Sequence, residues 1–168
     1  AADVGLSASV TEELKDLGHA FRTASDTEVV VHAWEQWGPE CFRRFNGQWA
    51  IALWDRERRE LILSRDPSGI LPLFYADNGK RFLFASEIKA IFAAPSVPRA
   101  FDPAGLSETL SFWCAVAPRT PYLGVSELEP GHWAILRNGS LDKKAYWSTS
   151  FPPAGEEPCQ DIVENGRR

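Results

Sequence analysis

Gln48-Trp49-Ala50-Ile51-Ala52-Leu53-Trp54-Asp55, the loop Arg56-Glu57-Arg58-Arg59-Glu60, and Leu61-Ile62-Leu63-Ser64-Arg65-Asp66 form the stretch that decides the fold. The first run is almost continuously apolar and predicts a buried strand. The charged loop reads as a solvated turn that returns the chain through a second strand. Pro67-Ser68-Gly69-Ile70-Leu71-Pro72 breaks the run. Leu73-Phe74-Tyr75-Ala76 and Arg81-Phe82-Leu83-Phe84-Ala85 then flank Asp77-Asn78-Gly79-Lys80, a strong hairpin signal. Residues 46–85 are therefore expected to form an antiparallel meander of about four strands paired in sequence order.

Helical patterns lie on both sides. Residues 9–17 predict a short helix capped by Ser9 and stopped by Gly18, with Val10, Leu14 and Leu17 on one face. Ser25-Asp26-Thr27-Glu28 fits a capping box, in which the Ser25 hydroxyl accepts from the Glu28 amide and the Glu28 carboxylate reaches back. Val29, Val30, Ala33, Trp34 and Trp37 recur at helical spacing up to Gly38-Pro39, so residues 26–37 read as a helix. Residues 39–44 add a turn carrying Cys41 and Phe42, with Phe45 just beyond. Ser86 is the expected cap of a helix at 87–94 that points Ile88, Ile91 and Phe92 inward. The helices at 26–37 and 87–94 are expected on the same sheet face or at its edge. Asp102-Pro103 opens another helix, with Leu106, Leu110 and Phe112 or Trp113 on its apolar side. Late strands at 133–137 and 144–147 flank Asn138-Gly139, and residues 151–168 read as a polar tail or linker. The class is α+β.

A length of 168 residues suits one domain, and 44% hydrophobic with 24% charged residues is ordinary globular composition. A net charge of −5, with no long run of Lys or Arg, argues against a nucleic-acid or anionic-membrane surface. Cys41, Cys114 and Cys159 are odd in number and widely spaced, which gives no disulfide framework and favours a reducing compartment. Cys41 and Cys114 stand in apolar contexts and read as buried small hydrophobes. No apolar stretch approaches the roughly 20 residues that span a bilayer, and no signal peptide is recognisable, so a cytoplasmic protein is expected. His19, His32 and His132 lie far apart without metal-ligand spacing, so no metal site is expected. The seven tryptophans read mostly as core.

Asp26 admits two readings. It is a first-turn acid that stabilises a helix N-terminus, or it faces a pocket and pairs with a substrate ammonium while Ser25 does the capping. Arg65-Asp66 reads as a salt-bridged corner in preference to a pocket wall.

Five ordered blocks carry a resemblance: residues 19–38, residues 44–55, residues 63–75, Phe84-Ala85-Ser86-Glu87-Ile88-Lys89-Ala90-Ile91, and Leu128-Glu129-Pro130-Gly131-His132, with Tyr146-Trp147 after them. Together they resemble the glutaminase domain of glutamine-dependent asparagine synthetases, a class II glutamine amidotransferase of the N-terminal-nucleophile (Ntn) hydrolase type. The resemblance implies a four-layer αββα sandwich. It also implies hydrolysis of glutamine, with the ammonia passed to a C-terminal synthetase domain that uses ATP and Mg²⁺ to amidate aspartate. Residues 1–150 would then be a partial glutaminase domain, and 151–168 the linker toward the synthetase domain. Asp26 is the glutamine-binding position that carries over, holding the substrate's amino group. The nucleophilic cysteine has no counterpart, Ala1-Ala2-Asp3 stand where the family has Asn-Gly-Glu, and Leu71 replaces the lysine of Gly-x-Lys-Pro.

A domain incomplete at its N-terminus follows, with no catalytic residue of its own and inactive on glutamine when isolated. It is expected to dimerise or aggregate through a bare face on the strands at 49–54 and 61–63. The alternatives are a non-catalytic docking or structural domain on the same scaffold, and a stand-alone amino-acid-binding module.

Overall fold

Residues 46–85 do form antiparallel strands, but the chain divides them between two sheets. The structure is a computed structural model that describes residues 8–150; Ala1-Ala2-Asp3, Cys159 and the expected linker lie outside the described residues. Strand β1 (Ala50–Asp55) pairs with β2 (Glu60–Arg65) around the charged turn. The other edge of β2 is taken by the late strand β6 (His132–Arg137), which pairs in turn with β7 (Ser140–Ala145), giving the order β1-β2-β6-β7. Strands β3 (Phe74–Asp77), β4 (Phe82–Ala85) and the short β5 (Ser126–Glu127) form a second sheet in the order β4-β3-β5.

The expected pairing of β2 with β3 fails for a reason visible at the corner between them. The fully buried Asp66 carboxylate accepts from the amides of Ser68, Ile70 and Leu71 at 3.0, 3.1 and 3.3 Å. The Arg65 guanidinium donates to the carbonyls of Gly69, Leu71 and Leu128 and pairs with Glu127 at 2.8 Å. This knot turns the chain out of the first sheet. It is a polar corner, as expected, although the two residues bond outward and not to each other. Gly69 sits at φ +64, and a Cβ there would lie 2.7 Å from Pro130. The β6–β7 hairpin closes through Asn138 and Gly139 at φ 50 and 77, the left-handed pair that a two-residue type I′ turn requires.

Alternation along the strands builds three apolar layers. Ile62, Trp133 and Ile135 face helices α1 (Ala8–Asp16) and α2 (Asp26–Trp37) and the tight turn Gly38–Arg43, packing with Leu14, Val30, Trp34 and Phe42. Leu63 and Ala134 face the other way, against Leu73, Tyr75 and Leu128 between the sheets. Ala76 on β3 packs with Ile91 of α3 (Ile88–Ile91) and with Val97 and Val125. The result is an αββα sandwich of the Ntn-hydrolase type, with α2 and α3 on opposite outer layers and not on the same face as expected.

Several local expectations are corrected. Helix α1 already includes Ala8, so Ser9 lies inside it, and Leu17 is exposed past its C-terminal end. Glu87, not Ser86, stands at the N-cap of α3 and makes no side-chain cap bond. Helix α3 is also shorter than predicted, because residues 92–94 continue as tight turns. Asp102 caps α4 (Pro103–Phe112) by accepting from the Ala104 amide at 3.1 Å, yet Leu106, Leu110, Phe112 and Trp113 all face solvent. Strand β1 is an edge strand and not a buried one; Ala52 is exposed, as is Trp54 at 56%. Trp49, Ile62 and Leu63 are buried, so the expected bare face shrinks to Ala52 and Trp54. Trp54, Trp113 and Trp147 are on the surface, outside the core. Glu60 is buried and bonded to Arg137 at 2.6 Å, not solvated in the turn.

Candidate functional site

The N-terminus of α2 is held by two separate devices. Ser25 is extended (φ −85, ψ 134), and its hydroxyl accepts from the Thr27 amide at 3.3 Å, one residue earlier than the capping box predicts. The Glu28 carboxylate reaches back beyond the cap. It accepts from the amides of Arg22 and Thr23 at 2.8 and 2.7 Å and from the Thr23 hydroxyl. The Thr23 hydroxyl and the Arg22 amide hold the Glu28 carboxyl down at about 2, well below the usual carboxylate range. Satisfying the loop and cap amides in this way leaves Asp26 with no capping duty.

Asp26 is the first residue of α2 and lines a groove of about 490 Å³. One wall is Ala24–Thr27 with Val30 and Val31, and the other is Ala50–Leu53 on β1. None of the side-chain hydrogen bonds or ion pairs among the described residues engages the Asp26 carboxylate. The second of the two readings of Asp26 therefore has the geometry it needs: a half-buried acid beside a groove, with the cap made by its neighbour. The far ends of the walls are tied together, because the Trp34 indole donates to Asp55 at 3.2 Å. Asp55 also accepts from the Arg58 and Glu57 amides, and the Arg58 amide is the main cause of its lowered pKa. Beyond the groove, β1 offers an unpaired ladder edge among the described strands.

The cysteines bring no nucleophile to this groove. Cys41 is fully buried, and burial pushes its thiol up to about 12. Cys114 is exposed, contrary to its expected burial, because the α4 region where it lies is uncovered. An alkylating agent at pH 8 should therefore modify Cys114 rapidly and leave Cys41 unmodified until the protein unfolds. Site-resolved mass spectrometry checks this, and fast labelling of Cys41 in the native chain would contradict the packing described.

The histidines are not scattered in space. His132 bonds to the Pro130 carbonyl at 2.8 Å, while His19 and His32 meet with their Nδ1 atoms 3.1 Å apart. No local spacing signals that pair, since 13 residues and a turn separate them.

Residues 7–147 match a family described as the glutamine amidotransferase domain. The chain belongs to that family. It is 38% identical over 138 residues to asparagine synthetase [glutamine-hydrolyzing] 3 of Bacillus subtilis (strain 168), covering 82% of this chain and 22% of the relative. It is 32% identical over 154 residues to asparagine synthetase [glutamine-hydrolyzing] 1 of the same organism, covering 91% and 24%. Among solved structures it superposes on the glutamine phosphoribosylpyrophosphate amidotransferase from B. subtilis, complexed with ADP and GMP, with a TM-score of 0.57. That match spans 84% of this chain and 27% of the other at 22% identity, and it supports the sandwich fold. The amidotransferase domain thus spans about a fifth to a quarter of these curated relatives. No helix among its described residues is long and apolar enough to cross a membrane.

Proposed function

We propose that this amidotransferase domain binds glutamine, with the Asp26 carboxylate receiving the substrate's α-ammonium, in a larger ATP-dependent synthetase that amidates aspartate. The observation that carries this is the free, groove-lining Asp26 within a family of glutamine amidotransferase domains. An ammonium held against a half-buried carboxylate forms a charge-assisted hydrogen bond, stronger than a neutral one, and so fixes the amino-acid end of the ligand. The names of the relatives, asparagine synthetases that hydrolyse glutamine, support glutamine as the amino acid and asparagine as the product of the whole protein.

Hydrolysis itself needs a thiolate and donors for the oxyanion. Neither described cysteine stands in the groove, so the nucleophile is assigned to another segment that pairs with the open β1 edge. ATP and Mg²⁺ are assigned to the synthetase part. The corner loop of this domain does not fit a phosphate, since Pro130 closes over Gly69 and Trp147 over Gly131. The 168-residue chain should therefore bind glutamine without releasing glutamate. Glutamate release that Cys41→Ala or Cys114→Ala abolishes would overturn this assignment. The free thiols Cys41 and Cys114 support a reducing, cytoplasmic setting.

The exposed apolar strip of α4 supports a docking face for the remainder of the synthetase. Leu110 is 76% exposed, Phe112 65% and Trp113 94%, and Val116 continues the strip. Several large apolar side chains exposed in one short segment are a feature of interaction sites. The isolated chain is expected to self-associate through it. Light scattering should show a dimer or larger species that Leu110→Glu with Trp113→Ser converts to a monomer. A wild-type monomer would remove this face from the account.

A further inference from the structure

His19, His32 and Glu35 bring two ring nitrogens and a carboxylate oxygen into one small triangle. The Nδ1 atoms lie 3.1 Å apart, and Glu35 Oε2 is 3.2 Å from His32 Nδ1 and 3.9 Å from His19 Nδ1. The far side of each ring faces an acceptor. His19 Nε2 is 3.0 Å from Gln36 Oε1, and His32 Nε2 is 3.7 Å from Glu28 Oε1. With hydrogens on both Nε2 atoms, each Nδ1 presents a lone pair; with one hydrogen on Nδ1, the two rings share a hydrogen bond instead. In the first tautomer, two imidazole nitrogens and a carboxylate oxygen are available together within that triangle. A cation at the centre of the triangle would satisfy all three atoms at once.

We infer that His19, His32 and Glu35 form a binding site for a divalent transition metal of the zinc class. The three atoms fall within the 4.8 Å spread of a possible ligand set. The triangle they define has a centre about 2.0 Å from all three atoms, the length of a zinc bond to imidazole nitrogen or carboxylate oxygen. Two histidines with one glutamate suit zinc, with a fourth position left for water. The rings are largely shielded, at 16% and 19% side-chain exposure, while Glu35 at 58% leaves the site open to solvent and to metal entry. Gln36 supplies an outer hydrogen bond of the kind that orients a ligating histidine, and the Glu28 carboxylate lies 3.7 Å from the far nitrogen of His32.

The consequence lies in what the site joins. His32 and Glu35 are one turn apart on α2, while His19 belongs to the segment that leads into the Ser25 cap. A bound ion therefore clamps residues 19–25 onto α2. The same segment carries the Arg22 and Thr23 amides that Glu28 gathers, so the clamp fixes the approach to Asp26.

The test uses the whole 168-residue chain, stripped with chelator and titrated with ZnCl₂ by calorimetry, with CoCl₂ as a spectroscopic probe. The expected result is saturable one-to-one Zn²⁺ binding, a raised melting temperature, and the visible absorption of low-coordinate Co²⁺. His32→Asn and Glu35→Gln should each weaken binding by about 100-fold or more, and Gln36→Leu by about 10- to 100-fold through the lost outer bond. His132→Asn and Cys114→Ser should leave affinity unchanged. Glu35 is exposed, so Glu35→Gln discriminates even if a histidine variant fails to fold. Absence of saturable binding, as a shared proton between the rings would give, overturns the site. Binding that survives Glu35→Gln and His32→Asn, as adventitious metal elsewhere would give, overturns it equally.

Discussion

Trp49→Ala is expected to cost about 3–5 kcal/mol of folding stability, the range for truncating a large buried aromatic. Trp49 is fully buried, its indole donates to Ser64 Oγ at 3.2 Å, and its ring stacks on Tyr146 and meets Phe45 edge-on. The substitution opens a cavity between the α2 layer and the first sheet and removes a partner from a buried hydroxyl. Since a domain of this size is stable by only about 5–15 kcal/mol, the loss is about a fifth or more of the total. Urea denaturation should show a large drop in midpoint with an unchanged slope. Trp54→Ala, at an exposed position on the edge strand, should stay within about 0.5 kcal/mol of wild type. Equal losses at the two positions would contradict the layer assignment.

The second large effect is at the corner that separates the two sheets. Asp66→Ala removes the acceptor for three amides, on Ser68, Ile70 and Leu71, that surround a fully buried carboxylate. Leaving a buried donor unpaired costs about 1–3 kcal/mol, so the variant should lose about 3 kcal/mol or more. Asp66→Asn keeps one carbonyl oxygen for Ser68 and Ile70 but turns an amide toward Leu71, and should fall between wild type and Asp66→Ala. Thermal unfolding of the three proteins checks this order. An Asp66→Ala protein as stable as wild type would mean that the corner is held by Arg65 alone.

These two positions also show what was legible in the sequence. Helix α2 was readable to the residue, because the Ser25 cap and the Gly38 stop are local signals. The 138–139 turn was readable because Asn138 and Gly139 supply its left-handed backbone, and the 77–80 turn because Gly79 does. The split into two sheets was not. Asp66 makes its bonds through buried geometry that a Pro-Ser-Gly string only hints at. The partner of β2 is a strand about 70 residues away, whose register follows from matching Ile62 and Leu63 to different apolar layers. Helix α4 has an apolar pattern that sequence reasoning assigns to a core, but in this chain that face meets solvent. At the candidate site, a Ser25 cap beside a groove-lining Asp26 was one of the two readings that the motif allowed. The meeting of His19 with His32 was invisible, because it depends on how the segment after α1 folds back along α2.

Under the proposed function, Asp26 holds the α-ammonium of glutamine in the groove between α2 and β1. The most direct measurement is a titration of the isotopically labelled chain with L-glutamine, followed residue by residue by NMR. The same titration is run with 4-carbamoylbutanoate, which keeps the side-chain amide and the carboxylate but lacks the ammonium. The account predicts saturable shifts confined to 24–31 and 50–53 with glutamine. Both the analogue and the Asp26→Asn variant, which keeps the Ser25 cap and the fold, should give little or no response. Equal shifts from both ligands, or an unchanged response in Asp26→Asn, would contradict it.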